Sequence, residues 1–114
     1  MALPELVKAL VEKKLGDYCE EKIPEWVRDK VKINFKLRGN SVTLVENRPF
    51  YMDPNKWTES VVAQFRYNPH SGMWTLYCAD RNGRWHLYDY AKPSKNFDAM
   101  LEAVEKDRTG IFWG

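Results

Sequence analysis

Residues 72–90 read GMWTLYCADRNGRWHLYDY. Two aromatic-rich runs flank Asn82-Gly83, a dipeptide that tolerates positive φ at both central positions of a type I′ hairpin turn. With a two-residue loop, Arg81 faces Arg84, Asp80 faces Trp85, Cys78 faces Leu87 and Tyr77 faces Tyr88. Side chains alternate along a strand. One face therefore carries Trp74, Leu76, Cys78, Trp85 and Leu87, and is the face a helix should cover. The other carries Thr75, Tyr77, His86, Tyr88 and Tyr90, which are aromatic but polar-tipped. A slip of one residue would exchange the two faces.

Working upstream, Val61 to Asn68 reads as a strand joined to this hairpin by the four residues Pro69-His70-Ser71-Gly72. That loop length places Ala63, Phe65 and Tyr67 on the core face, with Gln64 and Arg66 beside Tyr77 and Thr75. Val31, Ile33, Phe35 and Leu37 alternate with Lys30, Lys32, Asn34, Lys36 and Arg38, the cleanest strand pattern in the chain. Gly39-Asn40 turns it into a return strand, Ser41 to Arg48, in which Leu37 faces Val42 and Phe35 faces Leu44. The same register puts Glu46 and Arg48 at the rim of the core face. Pro49 to Ser60, with Asp53-Pro54-Asn55 as turn chemistry, reads as a long irregular loop whose aromatics plug one end of the core.

Leu3, Val7, Leu10, Val11, Leu15, Tyr18 and Cys19 recur at helical spacing, predicting a helix from Pro4 to Lys22 that Pro24 ends. Trp26 and Val27 are expected to form a short turn packed on the sheet. Lys92-Pro93-Ser94 opens a second helix, with Ser94 as N-cap, an apolar stripe of Phe97, Met100, Leu101 and Val104, and Gly110 as C-cap. The apolar tail Ile111-Phe112-Trp113 should dock, either in its own core or on a neighbouring subunit. The fold expected is α+β: an N-terminal helix, a five-stranded antiparallel sheet that is mainly a meander, and a C-terminal helix, with both helices on one sheet face.

At 114 residues the chain is expected to be one domain, spanning 1–114. Five tryptophans argue against disorder, and a net charge of +2 is too small to imply a polyanion partner. Cys19 and Cys78 lie in apolar contexts without metal-site spacing, which fits reduced, buried thiols and a cytoplasmic location. No stretch approaches a membrane span, and the N-terminus does not read as a targeting segment.

Several quoted runs are similar to those of a known family. They are Tyr18-Cys19 with Ile23-Pro24, Leu44-Val45-Glu46-Asn47-Arg48-Pro49, Ala63-Gln64-Phe65-Arg66-Tyr67, Trp74-Thr75-Leu76-Tyr77, Arg84-Trp85 with Tyr88, and Asp107 through Gly114. The sequence resembles a small bacterial family known only as domain of unknown function 3024. The resemblance spans nearly the whole chain and implies a single-domain protein, with no activity and no catalytic residues attached.

The residues themselves carry no phosphate-binding loop, nucleophile elbow or dinucleotide fingerprint. His70 and His86 are the only histidines, so neither a metal site nor a cofactor is expected. Two constellations remain. Glu46 and Arg48 share a strand face, and with Arg66 they make either a structural ion pair or an anion pocket of a hydrolase-type enzyme. Gln64, Arg66, Tyr77, His86, Tyr88 and Tyr90, with Lys32 and Lys36 further along, form the candidate binding surface. His86 has no carboxylate placed by spacing to orient it. The expected function is a non-enzymatic interaction module using this aromatic second face, with self-association as a homodimer favoured over an unknown small ligand or protein. Binding of single-stranded nucleic acid is a third reading.

Overall fold

The computed structural model describes residues 3–27 and 29–113. In chain order they form helix α1 (Glu5–Lys22), a 3-10 turn (Glu25–Val27), strands β1 (Lys32–Arg38), β2 (Ser41–Phe50), β3 (Asp53–Asn68), β4 (Met73–Ala79) and β5 (Trp85–Leu87), and helix α2 (Phe97–Lys106). The strands pair antiparallel in the order β1-β2-β3-β4-β5, an open meander. This is the α+β architecture that the hydrophobic patterns predict.

Alternation fixes the register of the β1–β2 and β3–β4 hairpins. Leu37 pairs with Val42 and Phe35 with Leu44. Gln64 pairs with Tyr77 and Arg66 with Thr75. Ile33, Val42, Leu44, Ala63, Phe65, Trp74, Leu76 and Cys78 point to one side of the sheet and are buried. Val11 and Leu15 of α1, and Phe97, Met100, Leu101 and Val104 of α2, pack onto that side. Phe97 is the aromatic centre, 5.0 Å from the Phe65 ring and 4.8 Å from Trp74. Both helices thus cover one face.

The β4–β5 hairpin differs from expectation. Its loop runs over five residues, Asp80 to Arg84, not two. The Gly83 N–H donates to the Asp80 carbonyl at 2.9 Å, and the Asp80 N–H to the Arg84 carbonyl at 2.9 Å. Gly83 alone takes a left-handed φ of 79°. This is a type I turn followed by a glycine bulge. The cause is Asp80, whose carboxylate accepts from the N–H groups of Asn82 and Arg84 and so stabilises a turn that starts at the aspartate. Tyr77 consequently faces Leu87, and Ala79 faces Trp85. Every side chain from Trp85 to Tyr88 changes sides: Tyr88, just past β5, enters the core at 4% exposure, and Leu87 turns outward at 52%.

Residues 49–60 also depart from the reading. They are not an irregular loop. β2 continues to Phe50, Tyr51-Met52 makes the turn, and β3 returns from Asp53 as a 16-residue strand. The arm tolerates its prolines because the register breaks there: Pro49 pairs with Trp57 and Phe50 with Asp53, leaving Pro54 in the bulge between them. Tyr51 and Met52 stand exposed at its tip, so they do not plug the core.

Smaller corrections follow the same logic. Leu10 faces solvent, whereas Val11 and Leu15 are the buried positions of α1. Trp26 is 81% exposed on the 3-10 turn and does not pack on the sheet. The N-cap of α2 is Asn96, whose side chain accepts from Asp98 N at 3.0 Å. Ser94 instead exchanges backbone hydrogen bonds with Trp74, sealing the edge of β4 beyond the short β5. The C-cap is Asp107, left-handed at φ 43°, rather than Gly110. Its carboxylate accepts from the N–H groups of Phe112 and Trp113 at 2.9 and 2.7 Å. Of the apolar tail, Phe112 therefore docks in the chain's own core, 4.8 Å from the Tyr88 ring, with Trp113 half-buried beside it and Ile111 left 45% exposed.

Candidate functional site: the helix-free face of the sheet

The face opposite the helices is built from residues that alternate with the core. On β2, β3 and β4 it carries a connected polar group. The Gln64 amide donates to Thr43 Oγ1 at 3.1 Å. The Arg66 Nε donates to Gln64 Oε1 at 2.7 Å. The Arg66 guanidinium lies 3.8 Å from the centre of the Tyr77 ring. Each partner holds the next in place, and the cation–ring contact adds about 0.5–1 kcal/mol at an exposed site. Nearer the arm, Lys32 sits 4.6 Å from the Trp57 ring centre.

Lys36 on β1 reaches Glu59 on β3 at 2.7 Å. Lys36 is paired with Thr43 and Glu59 with Asn47, so the bridge passes over β2 at Val45. Val45 is 1% exposed although no helix covers it. The Lys36 hydrogen bond holds the Glu59 carboxyl below its ordinary range.

Beside this lies an apolar row. Val45 pairs with Val61, and Ala79 pairs with Trp85. Val61 and Ala79 stand on neighbouring strands just beyond the Ala63–Cys78 pair, and Leu87 continues the row along β5. Val61 is 42% exposed. A bulge makes this possible: β3 carries Val62 as an extra residue against β2, so Val62 joins the core while Val61 faces out.

A family model described as Domain of unknown function (DUF3024) matches residues 3–114. The chain belongs to this family. No curated protein and no solved structure matches it significantly.

The sheet gathers some of the sequence candidates and separates others. Gln64, Arg66 and Tyr77 are together on the helix-free face. His86 and Tyr88 leave it with the change of register, and Trp85 and Leu87 take their places. Tyr90 lies past β5, with its ring 5.6 Å from Tyr88 and 4.8 Å from the Arg108 guanidinium. Glu46 and Arg48 form a 2.7 Å ion pair along β2. Glu46 pairs with Ile33, so it sits at the rim of the helix-covered side, across the sheet from Arg66. The hydrogen bond to Glu46 raises the Arg48 guanidinium still further. One pocket built from Glu46, Arg48 and Arg66 is not what the sheet makes.

His86 does have an orienting carboxylate, contrary to expectation. Asp80 Oδ2 lies 2.7 Å from its Nε2. That hydrogen bond, with those from the Arg84 and Asn82 N–H groups, holds the Asp80 carboxyl below its ordinary range. The pair ties off the β4–β5 loop. The adjacent Cys78 thiol is buried and pushed up by burial, so it is no nucleophile.

Trp57, Val61, Trp85 and Leu87 were not on the candidate surface read from sequence. The signals for them are the run Trp57-Thr58-Glu59-Ser60-Val61-Val62, rich in β-branched residues, and an aspartate three residues before Gly83. Among the described residues no group of three or more His, Cys, Asp or Glu gathers to hold a metal, and no helix is long and apolar enough to cross a membrane.

Proposed function

We propose that this chain is a non-enzymatic interaction module whose helix-free sheet face is the contact surface, and that its partner is a second copy of itself packed sheet to sheet. The observation that carries the reading is the apolar row Val61, Ala79, Trp85 and Leu87. It crosses β3, β4 and β5 on the one face that neither helix covers. An exposed apolar patch rimmed by polar groups is the usual mark of an association surface. The size is adequate. Five strands and a seven-residue strand length give a face of roughly 24 by 23 Å, which together with the β2–β3 arm approaches the ~800 Å² per partner of a standard interface. Beside the row, Gln64, Arg66 and Tyr77 hold one another in place, as do Lys36 and Glu59, so these side chains are partly ordered before any contact forms.

The surface charge favours a second reading. Lys32, Lys36, Arg38 and Arg66 stand on this face against a single acid, Glu59. Single-stranded nucleic acid binds to such basic, aromatic sheets by stacking its bases. That reading ranks second, because the Tyr77 and Trp57 rings are each already occupied by a cation. Cytoplasmic residence belongs to the same proposal and is supported by the two free cysteines.

The test is sedimentation equilibrium of the chain and of a Val61→Arg/Trp85→Arg variant. The expected result is twice the 13.5 kDa chain mass for the first and a folded monomer for the second. A monomer in both cases overturns the reading. If fluorescence anisotropy then shows salt-sensitive oligonucleotide binding, the face belongs to nucleic acid instead.

A further inference from the structure

We propose that the cleft between α2 and the Tyr88–Lys92 segment binds a small molecule that combines an apolar ring with an anionic group. The cleft is about 450 Å³, which is within the size range of small-molecule sites. It lies on the helix side of the sheet, so it is independent of the proposed contact face. Its floor is apolar. Ala99 and Ala103, four residues apart on one face of α2, leave room beside the Met100 and Tyr88 side chains.

The rim is cationic. Lys92, Lys106 and Arg108 border the cleft, against one acid, Glu102. Lys106 is held by Glu102 at 2.8 Å. The Arg108 guanidinium rests against the Tyr90 ring, 4.8 Å from its centre. It is thereby positioned without an ion-pair partner among the described residues, and guanidinium is the cation best suited to two-pronged contact with a carboxylate or phosphate. Tyr88, 4% exposed, contributes to the lining and closes the cleft on its sheet side. Apolar floor and cationic rim together select an amphipathic anion over a neutral ligand or a cation.

The probe for this is 1-naphthyl phosphate, titrated into ¹⁵N-labelled protein and followed by amide chemical shifts, with 1-naphthol as the neutral control. The expected shifts saturate and centre on Tyr88, Ala99, Ala103 and Arg108. Lys92→Glu/Arg108→Glu, a surface change that leaves the core intact, should weaken binding about tenfold or more, the size of one lost charge-assisted contact. Ala103→Trp, checked for an unchanged fold by circular dichroism, should abolish it. The proposal is overturned if millimolar probe moves none of these amides, if naphthol binds equally well, or if the shifts fall on Val61, Tyr77 and Trp85.

Discussion

The two sides of the sheet are made from the same strands and alternate residue by residue, yet they do different things. On the helix-covered side, Phe65, Trp74, Leu76 and Phe97 are closed off from water and interlocked. On the other, the polar groups are fastened in short chains, Thr43 to Gln64 to Arg66 to Tyr77 and Lys36 to Glu59, while Val61, Trp85 and Leu87 are left open. Burial by helices fixes the fold on one side. On the other side, the proposed contact face, polar groups hold one another in place around an uncovered apolar row.

Truncation should separate the two sides most strongly. Phe97→Ala or Trp74→Ala should cost about 3–5 kcal/mol, because each leaves a cavity at the centre of the core. Trp85→Ala should stay within about 1 kcal/mol in the monomer, because its site is partly solvated. Urea unfolding measures both, and equal losses would erase the distinction. Next in size is the tail. Asp107→Ala should cost about 1.5–3 kcal/mol, since it removes an acceptor of two backbone N–H groups and frees Phe112 from the Tyr88 ring. A third variant tests the loop that decides which side β5 faces. A Cβ at Gly83 would meet nothing within 4 Å, so Gly83→Ala should cost about 1–2 kcal/mol through the left-handed backbone alone.

The sides should also titrate differently. Burial pushes the Cys19 thiol from 9.0 up to about 11. Burial, then the Glu105 carboxylate, pushes the Tyr18 hydroxyl up as well. A raised pKa means that the folded state holds the proton longer than the unfolded chain does. The stability Cys19 contributes is therefore complete below pH 9 and is lost as pH rises through about 11, and that of Tyr18 is lost at higher pH still. Thermal unfolding midpoints across that window should fall, and Cys19→Ala should flatten part of the fall. An undiminished fall in the variant would assign it elsewhere.

How much of this could be read from the chain depended on whether the local signals agreed. Ile33, Phe35 and Leu37 alternate without interruption, and the Pro69–Gly72 loop fits the alternation on both of its strands, so those registers were legible. At Asp80-Arg81-Asn82-Gly83 two turn signals overlap. Asn-Gly favours a two-residue loop, while the aspartate carboxylate favours a type I turn that begins at itself, and the aspartate prevails because it accepts two N–H groups at once. That one-residue difference removed His86 and Tyr88 from the candidate surface and supplied Trp85 and Leu87. The arm was hidden for another reason. Pro49 and Pro54 argue against a strand, and only the bulge between Pro49 and Phe50 makes room for them. Gln64, Arg66 and Tyr77 were placed correctly because they lie on the hairpin whose pattern was unambiguous.

The most direct test of the helix-free face is an isotope-filtered NOE measurement on an equal mixture of labelled and unlabelled chains. Cross-peaks between copies at Val61, Trp85 and Leu87 are the predicted result. Their absence at a concentration where the chain is dimeric, or cross-peaks confined to Leu6 and Trp26 on the helix side, would contradict the account.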